Sequence, residues 1–179
     1  SSRIGYSLLF ILRYVPCILG SIKIFYIWAN NPMITNEIYQ LMKKKYQFYS
    51  SWAIWAEEGE TPKSNVGDLS VLNPAINQNL LNELNPNIIL VALNISRGDI
   101  QEPLANFHDK RSEATDYKLR YALKDTALWG GYLTDIIKDF DQKISGKVVS
   151  FLKENPRFEK ENVDYFLEEI SYLGVTNPI

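Results

Sequence analysis

The sequence predicts an α/β fold in three layers, with a short, mainly parallel sheet flanked by helices. Two apolar runs, residues 88–93 and 132–136, have the length and β-branched content of strands that are buried on both faces. A helical pattern at residues 116–124 separates them. Strand, helix and strand in this order form a crossover, so the two runs are predicted to be parallel neighbours.

Further helices are predicted where apolar side chains recur every three or four residues. Thr35 is suited to the N-cap of the first helix, and Asn73 followed by Pro74 begins another before the first strand. Asn155 and Pro156 divide the last two helices. The sheet is expected to be incomplete toward the carboxyl end, since no strand follows the last helix. The periodic segments are residues 37–48, 146–154 and 160–173.

Composition excludes several classes of site. A chain of 179 residues, 46% hydrophobic and 22% charged, is suited to one globular domain. The net charge of −2 provides no general field for nucleic acid, so any such contact would be local. With Cys17 and His108 as the single cysteine and histidine, an iron–sulfur cluster, a cysteine-ligated zinc site and a two-histidine site are excluded. No cofactor, metal or metal cluster is predicted, although carboxylate-bound magnesium stays open.

Residues 1–32 differ from the rest of the chain. Residues 4–28 are strongly apolar and long enough to span a bilayer, but the charge of Arg13 lies near their middle. The segment is interpreted as sequence upstream of a natural start at Met33, with a weak membrane anchor or an extra hairpin or helix as alternatives. Residues 33–179 are predicted to form the domain, in the cytoplasm and away from the membrane.

Polar residues at the strand ends form the candidate site. Asn94, Ser96 and Arg97 follow the first run, and Thr134 and Asp135 lie near the end of the second. Open α/β sheets place their ligands at the carboxyl ends of strands, so these side chains are expected to converge.

Three short segments in this order resemble the uracil-DNA glycosylase superfamily, in particular uncharacterised bacterial members whose first motif is similar to LNPS. The segments are Ala-Leu-Asn-Ile-Ser at residues 92–96, Asn-Phe at 106–107 and Leu-Thr-Asp-Ile-Ile-Lys at 133–138. The resemblance implies a nucleobase or DNA as the partner and, in an active copy, hydrolysis of an N-glycosidic bond in DNA repair. Such an enzyme takes its base out of the stack into a tight pocket.

The resemblance also implies roles for single residues. Asn94 would position or activate the water, Phe107 would stack on the extruded base, and Asp135, beside Thr134, would read the base edge. Asp135 stands where the family has Asn. An ionised Asp only accepts hydrogen bonds, so the preference is expected to move from uracil toward an amino-bearing base. The ordinary alternatives are that Phe107 belongs to the core and that Asp135 caps a helix.

The remaining candidates complete this site. His108, beside Asp109, is a catalytic candidate, and the alternative is a pair that orders the loop. Ser96 and Arg97 would contact the substrate, with Arg97 on a phosphate. The family carries a second catalytic motif late in the chain, usually with a histidine, and no histidine follows His108 here. The chain is therefore predicted to be an incomplete copy that binds a nucleobase or nucleic acid, with or without base excision.

Two other functions fit the same residues. The first is a non-catalytic interaction domain in which these side chains only order loops. The second is a magnesium-dependent nucleotide enzyme that uses Asp99, Asp109 and Asp135 as oxygen ligands.

Overall fold

The computed structural model describes residues 33–96 and 99–175, together with the backbone of residues 25–28. These residues form one four-stranded sheet with α-helices and a short 3-10 helix. The strands are β1 (Phe25–Trp28), β2 (Ser50–Trp52), β3 (Ile88–Asn94) and β4 (Tyr132–Ile137). The helices are α1 (Asn36–Tyr46), the 3-10 helix (Leu69–Leu72), α2 (Leu80–Glu83), α3 (Asp116–Leu123), α4 (Ser145–Glu154) and α5 (Pro156–Ser171).

The strands follow the order β1-β3-β4-β2 across the sheet. β3 and β4 contain the two predicted runs and are parallel neighbours, with Ile89 opposite Tyr132 and Asn94 opposite Ile137. The prediction of adjacent parallel strands in an α/β fold is confirmed. Both outer strands pair antiparallel with their neighbours, so the sheet is mixed, and the prediction of a mainly parallel sheet is wrong. The outer strands have four and three residues, too few for a periodic pattern to show them in the sequence.

Both faces of the sheet are buried. Ile89 and Val91 of β3 belong to a first apolar cluster, with side chains from α1, α4 and α5. Ile88 and Leu90 belong to a second apolar cluster, with side chains from α3. Because successive residues of a strand point to opposite faces, this double burial explains why β3 is apolar at every position from Ile88 to Leu93 rather than at every second one.

Local sequence explains several helix boundaries. Thr35 caps α1 as predicted, and Pro156 occupies the first turn of α5. The helix predicted after Asn73 is reduced to the four residues of α2. Asn73 and Asn77 each accept a hydrogen bond from the backbone N–H two residues ahead, at 3.0 and 3.1 Å. Such bonds stabilise turns in competition with a helix, which is why the predicted helix is short.

The apolar segment at residues 1–32 lies outside the described residues, apart from β1. The backbone of β1 pairs with β3, and Phe25 lies opposite Val91. The sheet therefore includes residues that precede the predicted domain boundary at Met33. Within the described part of the chain, no helix combines the length and apolarity that a membrane crossing requires.

Gly130 and Gly146 offer a matched test of the turn before β4. Gly130 has a φ of +78°, and a Cβ there would lie 2.1 Å from the carbonyl oxygen of Glu83. Nothing lies within 4 Å of a Cβ at Gly146. We expect Gly130→Ala to lower the free energy of unfolding by more than about 2 kcal/mol, because strain and clash act together. Gly146→Ala should raise it by about 0.5–1 kcal/mol, since alanine favours the helix. Urea denaturation measures both, and equal midpoints would contradict the turn geometry.

Candidate functional site

Asn94 ends β3 and organises the carboxyl edge of the sheet. Its Nδ2 lies 2.8, 3.1 and 2.8 Å from the carbonyl oxygens of Ile95, Phe140 and Gln142, which share its two N–H groups. Phe140 and Gln142 belong to the loop between β4 and α4. One side-chain amide therefore joins the ends of both parallel strands. The resemblance assigned water activation to Asn94, but main-chain carbonyls occupy its side-chain nitrogen.

An open groove of about 500 Å³ lies along this loop and α4. Two rings of its wall, Phe140 and Phe151, are stacked, with centroids 4.2 Å apart and planes at 10°. Phe158 packs against both of them at steep interplanar angles. The wall is therefore a continuous aromatic surface, and side chains with charge or hydrogen-bonding capacity lie beside it. The groove is lined by Phe140, Gln142, Ile144, Gly146, Lys147, Ser150, Phe151 and Glu154.

The groove and the site implied by the resemblance are different places. Of the predicted substrate-binding residues that the structure describes, none lines the groove. The two are joined through Asn94, whose amide holds two carbonyls of the loop that forms the groove. Sequence reasoning missed the groove because its residues carry no motif. The available signal was position, since the loop follows a buried parallel strand.

Lys138 and Glu169 form a buried ion pair between the end of β4 and α5. The Lys138 Nζ lies 2.6 Å from Glu169 Oε2, with the two side chains 1% and 0% exposed. The ammonium also donates to Thr134 Oγ1 at 2.9 Å and to the carbonyl of Asp135 at 2.6 Å. Glu169 Oε1 accepts from the hydroxyls of Tyr132 and Thr134 at 2.7 and 2.8 Å. Glu169 Oε2 accepts no hydrogen bond of regular geometry, so it meets the ammonium as a charge contact, and the attraction of opposite charges offsets the cost of burying both groups.

Because of this network, the Thr134 side chain is not available to a base edge, contrary to what the resemblance implied. Its hydroxyl lies fully buried between Lys138 and Glu169. Burial and the neighbouring Glu169 carboxylate raise the pKa of Tyr132 well above its ordinary value, so its hydroxyl stays protonated as a donor. Glu169 itself was missed. It lies on the buried stripe of α5 with Phe166 and Ile170, and a charged residue on an apolar stripe was the signal that could have found it.

Asp135 is buried on the other face of β4 and is 2% exposed. Its Oδ2 accepts from Asn106 Nδ2 at 2.9 Å, and the same amide donates to the carbonyl of Tyr49 at 2.8 Å. Burial raises the pKa of Asp135 to about 7, although the Asn106 bond and the charge of Lys138 act in the opposite direction. The carboxyl is thus near half-protonation at neutral pH and can donate as well as accept.

Phe107 and His108 lie against the second apolar cluster. Phe107 is half-buried, has a φ of +67°, and its carbonyl accepts from Trp55 Nε1 at 3.1 Å. His108 is 3% exposed, with its ring centroid 5.1 Å from that of Trp55 and Nε2 3.3 Å from the carbonyl of Trp52. Burial lowers the pKa of His108 to about 4, so the ring is neutral at neutral pH. Neither side chain lines the groove.

The structure brings together some of the predicted residues and separates others. Asn94 and the exposed Ser96 lie at the end of β3, and Arg97 lies outside the described residues. Asp135 faces the loop that carries Phe107, whereas Thr134 faces α5. In this conformation the set forms two buried polar networks and one strand end rather than a single open pocket.

The carboxylates of the magnesium hypothesis have other partners. Arg111 lies between two of them, with its guanidinium 2.7 Å from Asp109 Oδ2 and 3.2 Å from Asp99 Oδ2. Asp135 is bonded to Asn106 in the interior. In residues 33–96 and 99–175, no group of three metal-ligating side chains is placed to hold an ion. The described geometry therefore does not support a magnesium site at these residues.

The ion pair between β4 and α5 can be tested by removing one charge at a time. We expect Lys138→Met to lower the free energy of unfolding by about 3–5 kcal/mol, because Glu169 would keep a buried charge without its ammonium. Lys138→Met combined with Glu169→Gln should cost much less than the sum of the single changes. Lys160, exposed at 74% and paired with Asp164 on α5, is the control, and Lys160→Met should cost less than about 0.5 kcal/mol. Equal losses for the two lysine variants would show that Lys138 is not buried.

His108 is the only histidine, so one imidazole signal reports its titration in an NMR experiment. Its folded pKa of about 4 lies below the ordinary value of 6.5, so the unfolded chain binds more protons between these two pH values. Its contribution to stability, about 3 kcal/mol, is complete above pH 6.5 and is lost as the pH falls through 4. We expect a folded-state midpoint near pH 4. A midpoint near 6.5 would place the ring in solvent.

The chain matches no protein-family model, no curated protein and no solved structure. Its function must therefore be inferred from the geometry and chemistry of its own residues.

Proposed function

We propose that this chain is a nucleobase- or nucleotide-binding domain whose ligand occupies the groove between α4 and the loop after β4. The observation that carries the proposal is the position of an aromatic-walled groove of about 500 Å³ at the carboxyl edge of the parallel pair β3 and β4. Open α/β sheets bind ligands at this edge, and small-molecule sites have volumes of roughly 300–1,000 Å³. The three-layer arrangement belongs to the same proposal and is supported by the apolar clusters on both faces of the sheet.

The chemistry of the groove suits a flat, polar ring. Phe140 and Phe151 provide an aromatic surface on which a base can stack. Such stacking accepts any of the bases, because every base has a π-face. Gln142 offers a donor and an acceptor for a base edge. Among the described residues, Lys147 is the cation that lines the groove, and it can pair with one phosphate. With a net charge of −2 on the chain, one local cation favours a short ligand over a long nucleic-acid strand.

From the uracil-DNA glycosylase-like interpretation, this proposal keeps the class of ligand, a nucleobase or nucleotide. Asn94 supports the groove loop instead of facing a substrate, and His108 is buried against Trp55. The two side chains that the resemblance assigned to catalysis, Asn94 and His108, therefore make structural contacts. Binding without base excision is the form of the proposal that this geometry favours.

A protein partner is the second candidate. Ile144 and Val149 of the same region are 54% and 44% exposed, and Ile144 lines the groove. Exposed apolar side chains beside a groove are typical of peptide-binding surfaces. A domain that only mediates interactions would use the groove in this way.

Binding can be measured by calorimetric titration with free bases, nucleoside monophosphates and short single-stranded DNA. Phe151→Leu should weaken binding roughly 5- to 150-fold, because base stacking on an aromatic ring is worth about 1–3 kcal/mol. Lys147→Ala should weaken the binding of the monophosphates more than the binding of the free bases. The matched controls are Phe107→Leu, at the site implied by the resemblance, and Lys153→Ala, an exposed lysine of α4 that does not line the groove.

Each outcome separates the alternatives. Loss of binding in Phe107→Leu with Phe151→Leu unaffected would move the site to the residues of the resemblance. Absence of binding by the parent chain would refute the nucleobase proposal and favour the interaction domain.

A further inference from the structure

Three residues of α4 that line the groove lie on one stripe of the helix. Lys147, Phe151 and Glu154 are spaced by four and three residues along the chain. Side chains at this spacing lie on the same face of a helix. From Lys147 to Glu154 the helix makes two turns, or about 10 Å along its axis. The aromatic wall therefore lies between a cationic end and an anionic end of the groove.

Within the described part of the chain, neither of these two charges has an ion-pair partner. On α5, by contrast, Arg157 pairs with Glu161 four residues later at 2.8 Å. Ion pairs on a helix form at a spacing of three or four residues, so Lys147 and Glu154, seven residues apart, are too widely spaced to neutralise each other. Both charges are therefore available to a ligand in the groove.

The groove has free space at its cationic end. Gly146, next to Lys147, lines the groove without a side chain, and nothing lies within 4 Å of the position that a Cβ would occupy there. A lysine ammonium is a compact charge with three donors, and it pairs with phosphate oxygens without requiring one fixed geometry. A phosphate group thus has both room and an opposite charge at this end.

The anionic end of the groove accepts hydrogen bonds. A glutamate carboxylate such as that of Glu154 offers several acceptor sites and no donor. Another acceptor of the lining, Gln142 Oε1, already accepts from the backbone N–H of Ile144 at 3.0 Å. The exocyclic amino group of a base is a donor that glutamate recognises, as it does on cytosine in nucleic acids. A keto oxygen in the same position would place two acceptors against each other.

We propose that the groove binds a nucleoside monophosphate in one orientation, with its phosphate at Lys147, its base on the wall of Phe140 and Phe151, and an amino group of the base at Glu154. The inference rests on the proposed nucleotide-binding function and specifies the ligand class, a monophosphate whose base carries an exocyclic amino group. Inorganic phosphate or a free base satisfies one of the two charges. A mononucleotide carries the two complementary groups at its opposite ends.

The test uses two pairs of nucleoside monophosphates in which a keto group replaces the amino group of the base. The pairs are adenosine and inosine monophosphate, and cytidine and uridine monophosphate. In calorimetric titrations of the full chain, the amino-bearing member of each pair should bind about tenfold more tightly, because its amino group donates to the carboxylate whereas the keto oxygen is repelled.

Substitutions at the two ends separate the recognition of the base from that of the phosphate. Glu154→Gln should reduce the preference to less than about twofold, because an amide presents either a donor or an acceptor. Glu161→Gln, which changes an exposed carboxylate outside the groove, should preserve the preference. Lys147→Ala should weaken all four monophosphates about fivefold, the value of one exposed charge pair, while the preference persists. The matching nucleosides, which lack the phosphate, should bind Lys147→Ala as they bind the parent chain.

Three results would overturn this orientation while the proposed function stands. They are equal affinity within each pair for the parent chain, an unchanged preference in Glu154→Gln, and an equal loss for nucleotides and nucleosides in Lys147→Ala. In each case a loss of binding in Phe151→Leu would still locate the ligand on the aromatic wall. Absence of binding by all four monophosphates and their nucleosides would refute the nucleotide site itself and this inference with it.

Discussion

The buried ion pair of Lys138 and Glu169 determines how the last part of the described chain packs on the sheet. A buried charge without its partner is far more costly than a displaced apolar contact, so α5 can dock only where the carboxylate meets the ammonium and the two hydroxyls of β4. Asn162, on the same face of α5, accepts from the backbone N–H of Lys138 at 2.8 Å. The helix is therefore held at two levels, and both contacts fix its register along β4.

This constraint explains why the strand ends are less available to a ligand than their sequence indicates. Polar groups in an interior must be paired, and the carboxyl edge of a parallel sheet contains many backbone carbonyls that need donors. The two N–H groups of Asn94 are shared among three of these carbonyls, and Thr134 is held between two opposite charges. The polar residue types that suit catalysis also suit hydrogen bonds between strands and loops. In this protein Asn94 and Thr134 make such structural bonds.

What stays open at this edge is the surface built by the loop after β4 and by α4. In its aromatic wall, Phe140, Phe151 and Phe158 pack on one another. Asn94 holds the loop through a hydrogen bond to the carbonyl of Phe140. At the outer strand β2, residues 104–109 form a loop that bonds to Ser51 and is connected to β4 through Asn106. The carboxyl edge thus carries an open groove, whereas the edge at β2 is covered by a loop.

The sequence by itself determined the α/β class, the positions of β3 and β4 and their parallel pairing, because a continuous apolar run and an intervening helix are local patterns. It also identified Thr134 and Asp135 as polar residues near the end of a buried strand. Tertiary structure decided which face each of them occupies, since the partners Glu169 and Asn106 come from 35 residues later and 29 residues earlier in the chain. It also decided the mixed sheet and the groove. Strand direction, partner choice and surface shape arise from packing between distant segments, and no short stretch of sequence contains them.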